Sequence, residues 1–496
     1  MKESQSKPVS SLFARTQDRS LTSEPSQVRT FVGGLVVYFA IHVAIRTFIS
    51  QSLELDESEQ LVLTQKLALG YGPQPPLYTW VQHFFFSMFG VSVFSLALLK
   101  NLLLLGTYLF TYLNARSITG RVDCGILAAV SLLFIPSVAW ESQRDLTHSV
   151  LVSAFSAATL FCFLNLRADR IIPYLLFGAC AALGTLSKYN YAFFLVGLVV
   201  AALSVPPYRA TVLNWRMGLA ASVALVMLLP HFVWVAQHPD LTTAAVSKFE
   251  IVNSGISAPI RGLWKVLSSV VALLSLFFVI VVFIFWKTPA HTPLDLRSPP
   301  VRLLLRTWLA ILGVIGVAIV AFSVSNARGR WLQPFLICAP VFIAIVCQNR
   351  LTPSRLNRAL TVGILVAAIV IVGFLARLLL PGPKRLVQPF PELARQAEPS
   401  LRGQKVIIAS TTLLAANLRL AFPDKLVTTP NLAALSEFDR TKCALVWEPT
   451  NEAGIPALLS AFGELAPRSG IVYVEANSQY HKNGKMKLAF LPSSKL

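Results

Sequence analysis

Four short polar clusters interrupt an otherwise apolar chain, and their residue types suit acid–base and anion-binding chemistry. The first, Leu53-Glu54-Leu55-Asp56-Glu57-Ser58-Glu59-Gln60, places four carboxylates within six residues. The second is Glu141-Ser142-Gln143-Arg144-Asp145-Leu146-Thr147-His148, and the third is Ser187-Lys188-Tyr189-Asn190-Tyr191. The fourth is Ser325-Asn326-Ala327-Arg328-Gly329-Arg330-Trp331. A carboxylate serves as a base or binds a cation, while Lys and Arg hold a phosphate or a carboxylate. An acidic loop alone is usually a solvated face. Here it is followed by Gly70-Tyr71-Gly72-Pro73-Gln74-Pro75-Pro76-Leu77-Tyr78-Thr79-Trp80, where turn formers meet interfacial aromatics, and then by an amphipathic segment at 83–88. That combination reads as an ordered structure lying on a membrane.

The elements that must position these clusters are spanning helices. The chain is 55% hydrophobic and 13% charged, with a mean hydropathy of +0.63, well outside the usual range of a soluble domain. About eleven apolar segments approach the ~20 residues that cross a ~30 Å hydrocarbon core. They fall near 31–50, 91–113, 122–140, 149–166, 172–184, 191–204, 215–236, 266–286, 303–322, 334–347 and 359–380. The first begins only after thirty polar residues, so it reads as a retained span and the Ser-rich segment 1–30 as a disordered cytoplasmic terminus. Lys and Arg favour one set of connections by more than two to one, which places that set in the cytoplasm. The four clusters then converge on the opposite face, in outer loops 51–90, 141–149, 185–190 and 323–333, with a further loop at 237–265. The net charge of +20 is accounted for by topology and anionic lipid, with little support for nucleic-acid binding.

After a proline-marked linker at Pro381, Pro383, Pro389 and Pro391, residues 381–496 change character. β-rich runs at 405–410, 425–429, 443–447, 471–475 and 486–491 alternate with helical stretches at 412–420 and 455–465. A small α/β domain is expected, on the outer, periplasmic side if the span count is odd. The six cysteines share no metal or redox spacing, and none suggests a disulfide framework.

The order Asp56-Glu57, Pro73-Gln74-Pro75-Pro76-Leu77-Tyr78-Thr79-Trp80, Arg144-Asp145-Leu146-Thr147 and Leu186-Ser187-Lys188-Tyr189-Asn190 resembles the dolichyl-phosphate-mannose protein mannosyltransferase-like family. That family includes bacterial lipid A aminoarabinose transferases and the galacturonosyltransferases of rhizobial lipopolysaccharide. The resemblance covers roughly residues 30–350. It implies a GT-C fold at 31–380, a polyprenyl-phosphate-sugar donor, and transfer to a lipopolysaccharide core or lipid A acceptor at the outer face of the bacterial inner membrane. It further implies Asp56 as general base with Glu57 beside it, Asp145 as the acidic residue of the second outer loop, and Lys188 near the donor phosphate. Gln74, Tyr78, Arg328 and Arg330 complete the implied donor and substrate contacts. Aminoarabinose transferases usually carry Lys where this chain has Gln74, so the same sugar and phosphate contact does not follow.

A phosphate leaving group carries negative charge well, so cations should outweigh acids on the leaving side, with one-step inversion expected. No metal-ligand spacing is visible, although Asp145 leaves room for a divalent cation. His83 and His148 read as interfacial hydrogen-bonding residues. The rival from another class is a lipid or solute transporter or flippase, which calls for mid-span charges and related halves. Arg46, Lys100 and Arg377 lie within the spans, each near an end where it can snorkel, and no halves repeat convincingly. A scaffold with a sensing tail is a third reading, separated by whether the membrane part has activity.

Overall fold

Each apolar run falls on helical structure. The computed structural model describes residues 24–240, 257–286, 293–326, 329–379, 384–430, 442–449, 471–478 and 481–492. Helix α1 is Glu24–Ile49, α2 Leu55–Leu63, α3 Leu77–Phe89, α4 Val93–Thr119, α5 Val122–Ser131 and α6 Ser142–Arg144. Then come α7 His148–Leu164, α8 Ile172–Ser187, α9 Tyr191–Ser204, α10 Pro206–Val212 and α11 Arg216–Gln237. Three long helices follow, Ser257–Ile284, Pro299–Ala321 and Pro353–Leu379. A shorter helical stretch, Gln333–Val346, precedes the last of them. Among the described residues, six helices are long and apolar enough to cross a membrane, or up to eight if each of two bent pairs forms one span. Three more apolar helices, α7, α8 and Gln333–Val346, are shorter. A 16-residue helix is about 24 Å long, less than the ~30 Å core. The polytopic helical class stands, but the count of eleven is not confirmed. Helix α1 begins at Glu24, inside the segment expected to be disordered.

Local chemistry explains the main boundaries. Helix α4 starts where Ser92 Oγ accepts the Ser95 N–H (3.2 Å), and it ends at Gly120, whose φ of +70° is left-handed. Glycine takes that conformation without a Cβ penalty and closes the helix. Both bends occur at prolines, 77° around Pro136 and 118° at Pro206, where a missing N–H and a ring clash break the helical ladder. The 77° bend delivers the chain to the second polar cluster. Helices α8 and α11 approach closely at Gly178, where a Cβ would lie 2.2 Å from the Ala220 carbonyl oxygen.

In the tail, β1 (Val406–Ala409), β2 (Leu426–Thr428), β3 (Cys443–Trp447), β4 (Val472–Ser478) and β5 (His481–Pro492) form one sheet in the order β2-β1-β3-β5-β4. Strand β1 runs parallel to β2 and β3, and β5 runs antiparallel to β3 and β4. Thr411 Oγ1 caps the helix Thr412–Ala421 by accepting the Leu414 N–H (3.2 Å). The helix expected at 455–465 lies outside the described residues. Leu53, Leu61 and Val62, in and beside the first polar cluster, share one apolar core with Leu393, Leu414, Leu418 and Phe490 of the tail. The tail and the first polar cluster therefore occupy the same face of the helical body.

Candidate active site

Helix α2 is nine residues long and carries the first polar cluster. Its inner side buries Glu57, Ser58, Gln60 and Leu61, while Asp56 on the first turn is half-buried. Two carboxylates meet its N-terminal amides, where four N–H groups of any helix lack internal partners. Asp145 Oδ1 accepts the Asp56 N–H at 3.0 Å, and Glu57 Oε2 accepts the Glu54 N–H at 3.1 Å. Two of the expected catalytic residues, Asp56 and Asp145, are thus brought together from positions 89 residues apart. Burial raises the Asp145 carboxyl above its usual range, against the Asp56 N–H, Lys100 and Arg144.

Glu57 lies deeper than expected. Arg46 grips it with both ends of its guanidinium, Nη2 to Oε2 at 2.7 Å and Nε to Oε1 at 3.3 Å, and Lys100 Nζ reaches Oε1 at 3.3 Å. The side chains of all three are nearly inaccessible. Burial alone would raise the Glu57 carboxyl, but Arg46 and Lys100 hold it down at about 2. Arg46 also donates to the carbonyls of Ser50 (2.7 Å) and Ser52 (2.8 Å). The expectation that Arg46 and Lys100 snorkel is therefore corrected: a buried carboxylate turns both inward, because paired burial satisfies charges that would otherwise need water. Glu54 sits beside Arg385 (3.4 Å) and Arg377 (3.6 Å). Its carboxyl is raised by burial and then by Asp145 and Glu57, with the arginines opposing.

A hydrogen-bond chain joins the first, second and third clusters. Thr79 Oγ1 donates to Gln60 Oε1 (2.8 Å), and Gln60 Nε2 faces His148 Nε2 (3.3 Å). His148 Nδ1 lies 3.2 Å from the Ser187 carbonyl, which accepts only, so Nδ1 carries the proton and Nε2 accepts from Gln60. Beside this crosslink, Lys188 Nζ donates to Ser149 Oγ at 2.7 Å. The start of α7 is thereby tied to the end of α8. Glu59, Tyr71, Gln74, Thr79 and His148 line a small cavity over this chain.

The Tyr78 ring lies 5.6 Å from that of His148, and its hydroxyl has no hydrogen-bond partner among the described residues. Burial, and then the negative charges of Glu57 and Asp56, make that hydroxyl a weaker acid than an ordinary tyrosine, with its pKa well above the usual value. Arg328 lies outside the described residues, and the same holds for the side chain of Arg330. No group of three or more His, Cys, Asp or Glu able to hold a metal occurs among the described residues. Gln60, Thr79, Ser149, Arg46 and Lys100 were not anticipated as part of the site. Gln60 was findable, lying three residues after Glu57 on the same helix face.

Residues 73–234 match the dolichyl-phosphate-mannose-protein mannosyltransferase family. The chain is 34% identical over 408 residues to the lipopolysaccharide core galacturonosyltransferase RgtB of Rhizobium johnstonii, covering 78% of this chain and 80% of that protein. RgtA of the same organism, also a lipopolysaccharide core galacturonosyltransferase, is 32% identical over 416 residues, covering 81% and 82%. The fold matches ArnT from Cupriavidus metallidurans in its apo state, with a TM-score of 0.64, 16% identity, and 94% and 98% of the two chains covered. ArnT bound to undecaprenyl phosphate gives a TM-score of 0.61, again at 16% identity and the same coverage. The helical body with its small tail sheet is thus a GT-C fold, and the activity is glycosyl transfer. On this kinship and the cluster order that α2, α7 and α8 assemble, the chain belongs to the dolichyl-phosphate-mannose protein mannosyltransferase-like family of multi-pass membrane glycosyltransferases.

Proposed function

We propose that this enzyme moves a uronic acid sugar, galacturonic acid by analogy with RgtB and RgtA, from a polyprenyl-phosphate donor to lipopolysaccharide core. The reaction takes place at the periplasmic face of the inner membrane. The tail, 381–496, is assigned to that face along with the loops. The observation that carries the reading is the placement of Asp56 and Asp145 at one helix end, with the Lys188 amine held at Ser149 across the start of α7. Asp56 takes the proton of the acceptor hydroxyl, whose oxygen attacks the anomeric carbon from the face opposite the phosphate. The bond from that carbon to the phosphate oxygen breaks, and its electron pair leaves with the polyprenyl phosphate, stabilised by Lys188. Arg328 and Arg330 are assigned to the same phosphate, Gln74 and Tyr78 to the sugar. Asp145 acts through the backbone of α2, and Glu57 through Arg46 and Lys100.

The test compares lipopolysaccharide from cells with and without the protein by mass spectrometry, with an Asp56→Asn variant alongside. Loss of one or more hexuronic acid units in both the deletion and the inserted variant is expected. An unchanged core in the deletion refutes the reading, and full transfer by the variant removes Asp56 from it.

A further inference from the structure

We propose that Gln65 and the edge strand of the tail form a positioning seam that holds α2, and Asp56 with it, at the working distance from the donor site. This rests on the assignment of Asp56 above and extends it to the tail, whose part in the reaction that assignment leaves open.

Among the described strands β2 is an edge, bonded on one side to β1. The Leu426 N–H donates to the Lys405 carbonyl across that pairing (3.1 Å), with Val427 in register with Ile407. Backbone groups alternate sides along a strand, so the N–H and C=O of Val427 face outward. One side chain meets both. The Val427 N–H donates to Gln65 Oε1 at 2.9 Å, and Gln65 Nε2 donates to the Val427 carbonyl at 2.6 Å. The second Nε2 proton goes to the Val62 carbonyl (2.9 Å), in the last turn of α2. The amide thus imitates a neighbouring strand on one side and satisfies a helix-end carbonyl on the other. Glutamate has no proton for either carbonyl, and alanine makes none of these contacts.

The seam has a second end. Ser50 Oγ donates to the Leu386 carbonyl, and Ser52 Oγ to the Gln388 carbonyl (2.6 Å), just before α2. Between the two ends, Leu61 and Val62 share an apolar core with Leu414, Leu418 and Val427. Helix α2 is therefore held at its N-terminus by Asp145 of the helical body and along its back by the tail, so the tail sets where Asp56 lies. Lys188 belongs to the α8 end, which the seam does not touch.

The experiment uses full-length protein in lipid nanodiscs, with Gln65→Ala, Gln65→Glu and, at the other end, Ser52→Ala. It measures kcat, binding of undecaprenyl phosphate and the unfolding midpoint. Displacing a catalytic group by a fraction of an ångström to 1 Å costs about ten- to a hundredfold. Both Gln65 variants are expected to lose about tenfold or more in kcat while binding undecaprenyl phosphate as the wild type does. Ser52→Ala is expected to lose about threefold, one hydrogen bond's worth, and decides the matter should the Gln65 variants fail to fold. Wild-type kcat in folded seam variants overturns the inference, and so does a parallel fall in kcat and lipid affinity, the mark of general loosening. An Asp56→Asn variant measured in parallel separates the two levels. If it keeps full transfer, the assignment of Asp56 fails; if it is inactive while the seam variants are fully active, only the seam fails.

Discussion

Replacing Glu57 with Gln tests the interior of the site most directly. The side chain keeps its size and loses its charge, so Arg46 and Lys100 remain buried beside a neutral amide. Unit charges about 3 Å apart at an effective dielectric constant near 20 attract by roughly 5–6 kcal/mol, and breaking a buried pair from one side typically costs about 3–5 kcal/mol. Arg46 keeps the carbonyls of Ser50 and Ser52 as acceptors. Lys100 keeps at most a neutral amide oxygen in place of the carboxylate, with through-space attraction to charges such as Asp145. The expected loss is therefore about 3–5 kcal/mol, with Lys100 carrying the larger strain. Adding Lys100→Met removes that stranded cation and should return roughly 1–2 kcal/mol, since an apolar side chain of similar length tolerates burial where an unpaired ammonium does not. Denaturation of the detergent-solubilised single and double variants, set out as a double-mutant cycle, measures both quantities. A Glu57→Gln protein within about 1 kcal/mol of wild type, or purely additive effects in the cycle, would refute the account of a mutually dependent triad.

Glu57 also predicts a pH dependence. Its folded value of about 2 lies below the usual 4.5, so its stabilisation is fully present above 4.5 and is lost as pH falls toward 2, by roughly 3 kcal/mol. Glu57→Gln should flatten that limb in an unfolding series from pH 6 downward. Asp145 has the opposite sign: its raised carboxyl contributes stability below the unfolded value that is lost as pH rises through the folded one. Asp145→Asn retains an oxygen for the Asp56 N–H and should be at least as stable as wild type at pH 7, whereas Asp145→Ala should lose about 1 kcal/mol of helix capping. Lys188→Ala should cut kcat/KM for the lipid donor about a hundredfold or more and Lys188→Arg much less, with Ser149→Ala between wild type and Lys188→Ala in steady-state assays. Gly178→Ala places a methyl 2.2 Å from the Ala220 carbonyl oxygen, so α8 and α11 must separate, at a cost of about 1–3 kcal/mol by thermal unfolding.

What the sequence reveals follows the range over which its signals act. Apolar runs mark the helices because the bilayer requires them locally, and the short apolar runs at 405–410 and 443–447 mark strands β1 and β3 because a strand buried in a sheet core is likewise a local pattern. Span lengths are less legible, since α7 and α8 complete their packing against neighbours and need not be long themselves. The candidate site lies further out of reach. Glu57 meets Arg46 and Lys100 across 11 and 43 residues, Asp56 meets Asp145 across 89, and Gln65 meets Val427 across 362. No periodicity reports pairings of that kind.

Charge accounting at a membrane face nevertheless contains part of the answer. The first polar cluster holds four acids and no basic residue, while Arg46 and Lys100 stand alone at the ends of α1 and α4 nearest that cluster, with no acid on their own helices nearby. Lys100 is seven residues into α4, about 10 Å along its axis. At that depth a cation is stabilised either by water at the interface or by a carboxylate brought to it. A four-acid loop beside two such cations favours the second outcome for at least one carboxylate, and the buried face of α2 selects Glu57. Asp56, one position earlier, is turned about 100° away from it by the helix. Adjacent acids in one loop thereby acquire different surroundings, Glu57 neutralised in the interior and Asp56 half-buried on the first turn of α2. Helical periodicity applied to that short segment, together with the two unmatched cations, is the reasoning that would have separated them.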